Sequence, residues 1–222
     1  MIRPLLLLLL VCGVSQAINV RFLAWDETVA AREIVAASGA TGGKEITALH
    51  PLKRTDAVSM TAVDGKLILR TPDKTGPDDK PAEMAVPLPE TVTRPLVVLL
   101  PDAKSPTGLR GFALNDSTQG FAWGTYRMIN ATPKELNLAF GKKRLRLPTG
   151  WKAVDVETSG EGSESVWMST ADNPNKALYT NVWSTSPEIR RLVFIVPGTD
   201  PRLGPLALKI IPEDRRNLAE AE

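Results

Sequence analysis

Two stretches of this sequence, 96 residues apart, carry nearly the same pattern. Arg94-Pro-Leu-Val-Val-Leu-Leu-Pro101 laid over Arg190-Arg-Leu-Val-Phe-Ile-Val-Pro197 matches the arginine, Leu-Val and the proline, and the remaining strand positions 98–100 and 194–196 stay apolar. Without a gap, the same offset puts Gly108 on Gly204, Phe112 on Leu208 and Leu114 on Ile210. Upstream, Arg21-Phe22-Leu23 resembles Arg127-Met128-Ile129 at a slightly larger offset, as unequal loops would produce. A long internal repeat constrains architecture more than any local propensity. It predicts a duplicated domain, 18–116 and 117–222, each copy ending in a buried strand, a Pro/Gly-rich loop and a closing strand.

Between the repeats, short runs rich in Val, Ile, Leu, Thr and aromatics alternate with Pro, Gly, Asn and Asp clusters, the pattern of an all-β sandwich. The expected fold is therefore all-β: two tandem antiparallel β-sandwich domains of immunoglobulin-like type, related by internal duplication. Expected strands include Asn19–Trp25, Glu45–Leu49, Ala57–Val63, Lys66–Thr71, Leu136–Phe140, Ser165–Thr170 and Leu178–Thr185. In Arg144–Leu147, Leu145 and Leu147 alternate with Arg144 and Arg146; in Lys152–Glu157, Val154 and Val156 alternate with Asp155 and Glu157. Leu96–Leu100 and Leu192–Val196 are apolar on both faces, as in central covered strands. Gly141-Lys142-Lys143 suits a hairpin turn. Glu27–Ala37 is expected to make two or three helical turns, and the acidic tail after Pro212 to form a helix or fray. Pro72–Pro81, with almost nothing apolar, reads as a mobile loop.

The amino terminus has a positive Arg3, an apolar run Leu5–Val11 and the small-x-small ending Ser15-Gln16-Ala17, which reads as a signal peptide over 1–17 cleaved near Ala17. That predicts export, to the periplasm or beyond the cell. Cys12 as a lipid-attachment site is the rival reading, against which Val11 is a poor preceding residue. No apolar stretch reaches the length of a transmembrane helix. Cys12 is the one cysteine, so a chain starting near Ile18 has no thiol for disulfides, metals or nucleophilic attack. The net charge of +2 and the scattered basic residues argue against nucleic acid as a partner.

Gly124-Thr-Tyr-Arg-Met-Ile-Asn-Ala-Thr132 and Leu192-Val-Phe-Ile-Val-Pro-Gly-Thr-Asp-Pro201 carry a resemblance that covers mainly residues 109–214. They resemble segments of secreted bacterial tandem β-sandwich proteins, of no assigned activity, whose domains open on a strand of the form Arg-x-x-Asn-x-Thr/Ser. The resemblance implies export and a β fold, and transfers no site.

Chemistry-bearing residues are sparse. His50 is the single histidine, so a multi-histidine metal site is excluded and any Ser/His/Asp triad must use this residue, which sits at an expected strand end. Asp155 and Glu157 share a strand face about 7 Å apart by strand rise, a spacing compatible with an inverting glycosidase but common on any outward face. Asp78-Asp79 and Glu213-Asp214 lie in polar stretches and lack the spacing of a calcium loop. Gly39–Gly43 lacks the Lys-Ser/Thr of a phosphate loop. Asn115-Asp-Ser117 and Asn130-Ala-Thr132 fit the glycosylation pattern, the second equally fitting an Asn-Ala-Thr-Pro turn. With Val166 and Met168 inward, Trp167 faces out. With Leu178 and Val182 inward, Tyr179, Asn181 and Trp183 share the opposite face, so that Trp167, Tyr179, Asn181 and Trp183 would form one aromatic ligand-binding surface for a sugar or a protein. The expected function is a non-catalytic envelope or extracellular module binding a glycan or an envelope protein, without cofactor or metal. The alternatives are a carboxylate-dependent polysaccharide hydrolase and a structural subunit of an envelope assembly.

Overall fold

The computed structural model describes residues 15–39 and 42–219. The chain divides into two compact units, Met1–Asn115 and Asp116–Glu222, and is all-β. Cys12 and all but the last three residues of the expected signal peptide lie outside the described residues. Among the described residues no helix is long and apolar enough to cross a membrane.

The first unit contains β1 (Ser15–Ala24), α1 (Glu27–Ala30), β2 (Val35–Ser38), β3 (Gly42–Glu45), β4 (Val58–Val63), β5 (Lys66–Thr75), β6 (Pro81–Pro87), β7 (Pro95–Pro101) and β8 (Leu109–Asn115). They form one sheet ordered β3-β2-β5-β4-β1-β7-β8, with β6 on β5. The sheet is continuous through β1 and through one narrow joint between β4 and β5. Strand β1 pairs antiparallel with β4 through Val20, then parallel with β7 from Arg21, and β4 meets β5 only at Val63 and Lys66. Alternating residues from these layers, among them Phe22, Met60, Leu67, Leu69, Val97 and Leu99, fill a single core. Val86 of β6 lies against Gly111 of β8, where an added Cβ would stand 2.4 Å from a valine methyl.

Three expectations for this unit are corrected. The helix stops after Ala30, one turn capped by Asp26, whose Oδ1 accepts the Val29 amide at 2.9 Å. Beyond it Ile34 and Ala36 are buried in the sheet core, and that burial outweighs the helix propensity of the alanines. The expected loop 72–81 is instead a strand extension: β5 runs to Thr75 and returns from Pro81 after a short 3-10 turn. Its Asp73 is gripped by Arg32 at 2.7 and 2.8 Å, so an ion pair serves where an apolar contact is missing. The strand expected at Glu45–Leu49 lies earlier, as β3.

The second unit contains β9 (Thr125–Asn130), β10 (Leu136–Phe140), β11 (Lys143–Leu147), β12 (Ala153–Glu157), β13 (Gly162–Thr170), β14 (Tyr179–Thr185), β15 (Ile189–Pro197), β16 (Leu206–Asp214) and α2 (Arg215–Ala219). Two four-stranded sheets, β11-β10-β13-β14 and β12-β9-β15-β16, enclose one core that includes Tyr126, Met128, Leu138, Phe140, Met168 and Val193. The first sheet is antiparallel throughout; in the second, β9 and β15 run parallel, as β1 and β7 do. The sandwich is therefore mixed rather than purely antiparallel. The β10–β11 hairpin turns at Gly141, which has φ +54° and lies so close to the Glu164 carboxylate that a Cβ would fall 2.1 Å from an oxygen. Only glycine meets both conditions without local movement.

Candidate functional site

Strand β14 carries three of the four aromatic-surface residues, and its phase differs from the expected one. Val166 and Met168 of β13 face the core, and Asn181 and Tyr179 are their direct partners, with Glu164 opposite Trp183. Directly paired residues share a face, so Tyr179, Asn181 and Trp183 stand on the core side of β14. Trp183 is 7% exposed, stacked on Tyr126 at 5.2 Å and edge-on to Phe140 at 6.1 Å, while Val182 is 64% exposed. The single four-residue surface is thus corrected: Trp167 lies on the other face. The reason is local. Leu178 and Tyr179 both pack against the core, so alternation counted from Leu178 slips by one.

The three β14 residues form a polar-edged end to the aromatic core. The Tyr179 hydroxyl accepts from Trp183 Nε1 and Asn181 Nδ2, each at 3.0 Å, and Asn181 Oδ1 accepts the Val182 amide at 2.7 Å. That last bond blocks an amide on an edge strand, where free N–H groups invite pairing with another chain. Tyr126 donates to the Ser184 carbonyl. Burial raises the Tyr126 pKa, against the smaller lowering effect of Arg191.

Trp167 belongs to a different feature. On the outer face of the antiparallel sheet, Ala139 is directly opposite Arg144 on one side and Trp167 on the other. In the next row Asn137 stands between Arg146 and Ser169. The small Ala139 side chain sits between two large neighbours, and the result is a groove of about 640 Å³. Trp167 and Ser165 form one side and Arg144 and Arg146 the other, with Pro174 at one end. Strand spacing puts Trp167 and Arg144 about 10 Å apart at their backbones, enough for a flat ring between them. Just past the end of β13, Asp172 is held below the usual carboxylate range by hydrogen bonds from Thr170 and Lys134.

The remaining chemistry candidates are engaged elsewhere. Asp155 makes a two-point ion pair with Arg127, at 2.7 and 2.6 Å, on edge strand β12. Arg127 in turn lies over the Phe121 ring at 4.4 Å, and Arg190 lies over the same ring at 4.9 Å. Arg190 is 2% exposed, is paired to Glu213 and donates to the Asp116 and Phe121 carbonyls. Glu213 is therefore a strand residue with a buried partner and not part of a mobile polar stretch. This assembly ties segment 116–123 onto the β12-β9-β15-β16 sheet. It joins residues far apart in sequence, and the one local hint is that Arg127 and Arg190 both open strands. His50 accepts the Leu52 amide at 2.9 Å in an exposed turn. Asn130 is fully buried, its amide donating to the Lys134 and Leu147 carbonyls and accepting from Thr132, so it is a turn residue and not an accessible acceptor for glycan. Among the described residues no three acidic, histidine or cysteine side chains converge as a metal site.

Comparison with known protein families and with curated proteins finds no match for this chain. The site is accordingly defined by its geometry alone.

Proposed function

We propose that this chain is an exported, non-catalytic module whose ligand is a glycan seated in the Trp167 groove. One observation carries the reading: the row Arg144–Ala139–Trp167, in which a half-buried indole and a guanidinium face each other across a floor made shallow-sided by alanine. An indole held upright on a rigid sheet offers a flat apolar face to the C–H side of a sugar ring, and Asn137 and Ser165 supply hydroxyl partners beside it. Export is supported by the sequence of residues 1–17. The non-catalytic reading is supported by Asp155, which is committed to Arg127 rather than aimed into a cleft.

We infer as well that the two units are copies of one sandwich. Eight strands follow one another in each, and the layers β3-β2-β5-β6 and β4-β1-β7-β8 of the first match β11-β10-β13-β14 and β12-β9-β15-β16 of the second. Register supports the same reading. Arg21, Phe22 and Leu23 pair with Leu96, Val97 and Val98, as Arg127, Met128 and Ile129 pair with Leu192, Val193 and Phe194. Trp25 and Ala131 donate to the carbonyls of Leu99 and Ile195, both at 2.9 Å. Register also amends the gapless alignment. Leu96 pairs with Leu114 and Leu192 with Ile211, so the equivalent of Leu114 is Ile211, with one residue added in the preceding loop. In both copies the first strand is central and parallel to the seventh, an order distinct from the immunoglobulin one.

The glycan reading is tested by tryptophan fluorescence of the chain during titration with soluble xylan, laminarin, dextran and polygalacturonate. The expected result is a change in emission with at least one polymer that Trp167→Ala abolishes while its circular dichroism stays unchanged. No response to any polymer, or an undiminished response in Trp167→Ala, would reject it.

A further inference from the structure

The two sides of the groove differ in charge, and the positive side is compensated only by a surface contact of Arg146 with Glu135. Arg144 Nη1 donates to the carbonyls of Gly141 and Lys143 at 2.8 and 2.9 Å, which fixes the guanidinium plane at the hairpin. Its Nε and Nη2 have no protein partner among the described residues, and no carboxylate there pairs with it. Arg146 sits two residues along the same face, about 7 Å away by strand rise. Its contact with Glu135 is a single point at 3.2 Å between exposed groups, an arrangement that solvent screens strongly. No acidic residue lines the groove.

We infer that the groove selects an acidic glycan, a polysaccharide whose rings carry carboxylates, with Arg144 as the principal carboxylate partner. The inference rests on the glycan reading and names its substrate class. A guanidinium with free Nε–H and Nη2–H presents the two parallel donors that a carboxylate accepts together, an arrangement lysine cannot reproduce. With the indole opposite, a uronate ring can stack its C–H face on Trp167 while its carboxylate meets Arg144. Arg146, one pleat further, reaches a neighbouring ring of the same chain, and the polar floor at Asn137 meets ring hydroxyls. The matching outer row of the first unit shows the arginine arrangement that cannot do this. There Arg70 is consumed by Glu83 at 2.6 Å and by the Gly39 and Gly42 carbonyls, and no aromatic stands beside it.

The test compares polygalacturonate with its fully methyl-esterified form, the same backbone without charge, by isothermal titration calorimetry on the full chain. The acid form is expected to bind about tenfold more tightly, the scale of one charge-assisted bidentate contact. Arg144→Ala should remove that advantage, and Arg146→Ala about a threefold part of it. Lys142→Ala, in the same hairpin but outside the groove lining, should leave affinity unchanged. Equal binding of both forms would overturn the acidic-glycan inference and leave the glycan reading standing. A loss in Lys142→Ala equal to that in Arg144→Ala would also overturn it, showing diffuse attraction to a basic edge strand. Binding of neither form, with no Trp167-dependent response to any of the four polymers, would overturn both.

Discussion

The outer row Glu45–Val35–Arg70–Glu83 of the first unit, across β3-β2-β5-β6, and the outer row Arg144–Ala139–Trp167–Thr180 of the second, across β11-β10-β13-β14, hold opposite chemistry. In the first, the guanidinium is bonded to Glu83 and to the Gly39 and Gly42 carbonyls, so its charge serves the fold. In the second, the guanidinium is anchored through one nitrogen only and an indole replaces the second polar partner. The strand order across the two faces corresponds, and the contrast in chemistry lies in the side chains of the row. Two units with the same strand order separate what a fold requires from what a site requires: positions used alike in both hold the sheets together, and those that diverge toward unspent charge and half-buried aromatics are where binding is to be sought.

The buried arginines reverse the contrast and give the largest expected effect. Arg94 and Arg190 occupy equivalent positions in the repeat, but Arg94 is exposed and Arg190 is enclosed with Glu213, Asp116, Phe121 and Trp123. Removing one partner of a buried charge group strands the others, at a cost of about 3–5 kcal/mol. Arg190→Ala is therefore expected to lower stability by that amount in urea denaturation followed by tryptophan emission. Arg94→Ala should stay within about 0.5 kcal/mol, as surface changes do. Equal effects would mean that the two positions are not distinguished by their surroundings, and the comparison of the units would fail at its sharpest point.

The two tryptophans of the antiparallel sheet give a smaller but more diagnostic contrast. Trp183→Ala removes a ring packed on Tyr126 and Phe140 and should cost about 3 kcal/mol through the cavity it leaves. Trp167→Ala opens no closed cavity and should cost about 1 kcal/mol or less, which is what lets it report on ligand rather than on folding. Iodide should quench the fraction of emission lost in Trp167→Ala and spare the fraction lost in Trp183→Ala. Quenching of both would return Trp183 to the outward face.

That pair also marks how far the sequence could be read. Leu136–Phe140 is a strand with the expected ends because its apolar residues alternate without ambiguity. The likeness of Arg21–Leu23 to Arg127–Ile129 is visible in the residues themselves. Strand β14 is not, because Val182 outside and Trp183 inside satisfy alternation equally well in either phase. The one usable signal was the greater apolar area of Tyr179 and Trp183 taken together. The groove could not be read from sequence at all: Arg144, Ala139 and Trp167 belong to three strands, and only cross-strand register brings them into a row. Pro72–Pro81 misled for a related reason, since a strand extension held by the Arg32–Asp73 pair has no need of apolar residues.

The smallest expected effect concerns surface carboxylates, and it too divides the units. Among the described residues Asp73 alone is lowered in the first unit, by hydrogen bonds from Arg32. Asp172, Glu188, Asp200 and Asp214 are lowered in the second, Asp214 to about 2 by the side-chain hydrogen bond from Arg216. An unfolded aspartate titrates at about 3.9. A folded pKa below that value means the carboxylate stabilises the fold fully above about pH 4 and loses that contribution as pH falls toward the folded value. Acid should therefore weaken these surface ion pairs of the second unit as pH falls toward their folded values, with modest effect because the groups face solvent. A carboxyl-carbon NMR titration of Asp214 should show a midpoint near 2 that moves up toward the ordinary aspartate range in Arg216→Ala. A wild-type midpoint already in that range would remove Arg216 as its partner and, with it, the tie between β16 and the first turn of α2.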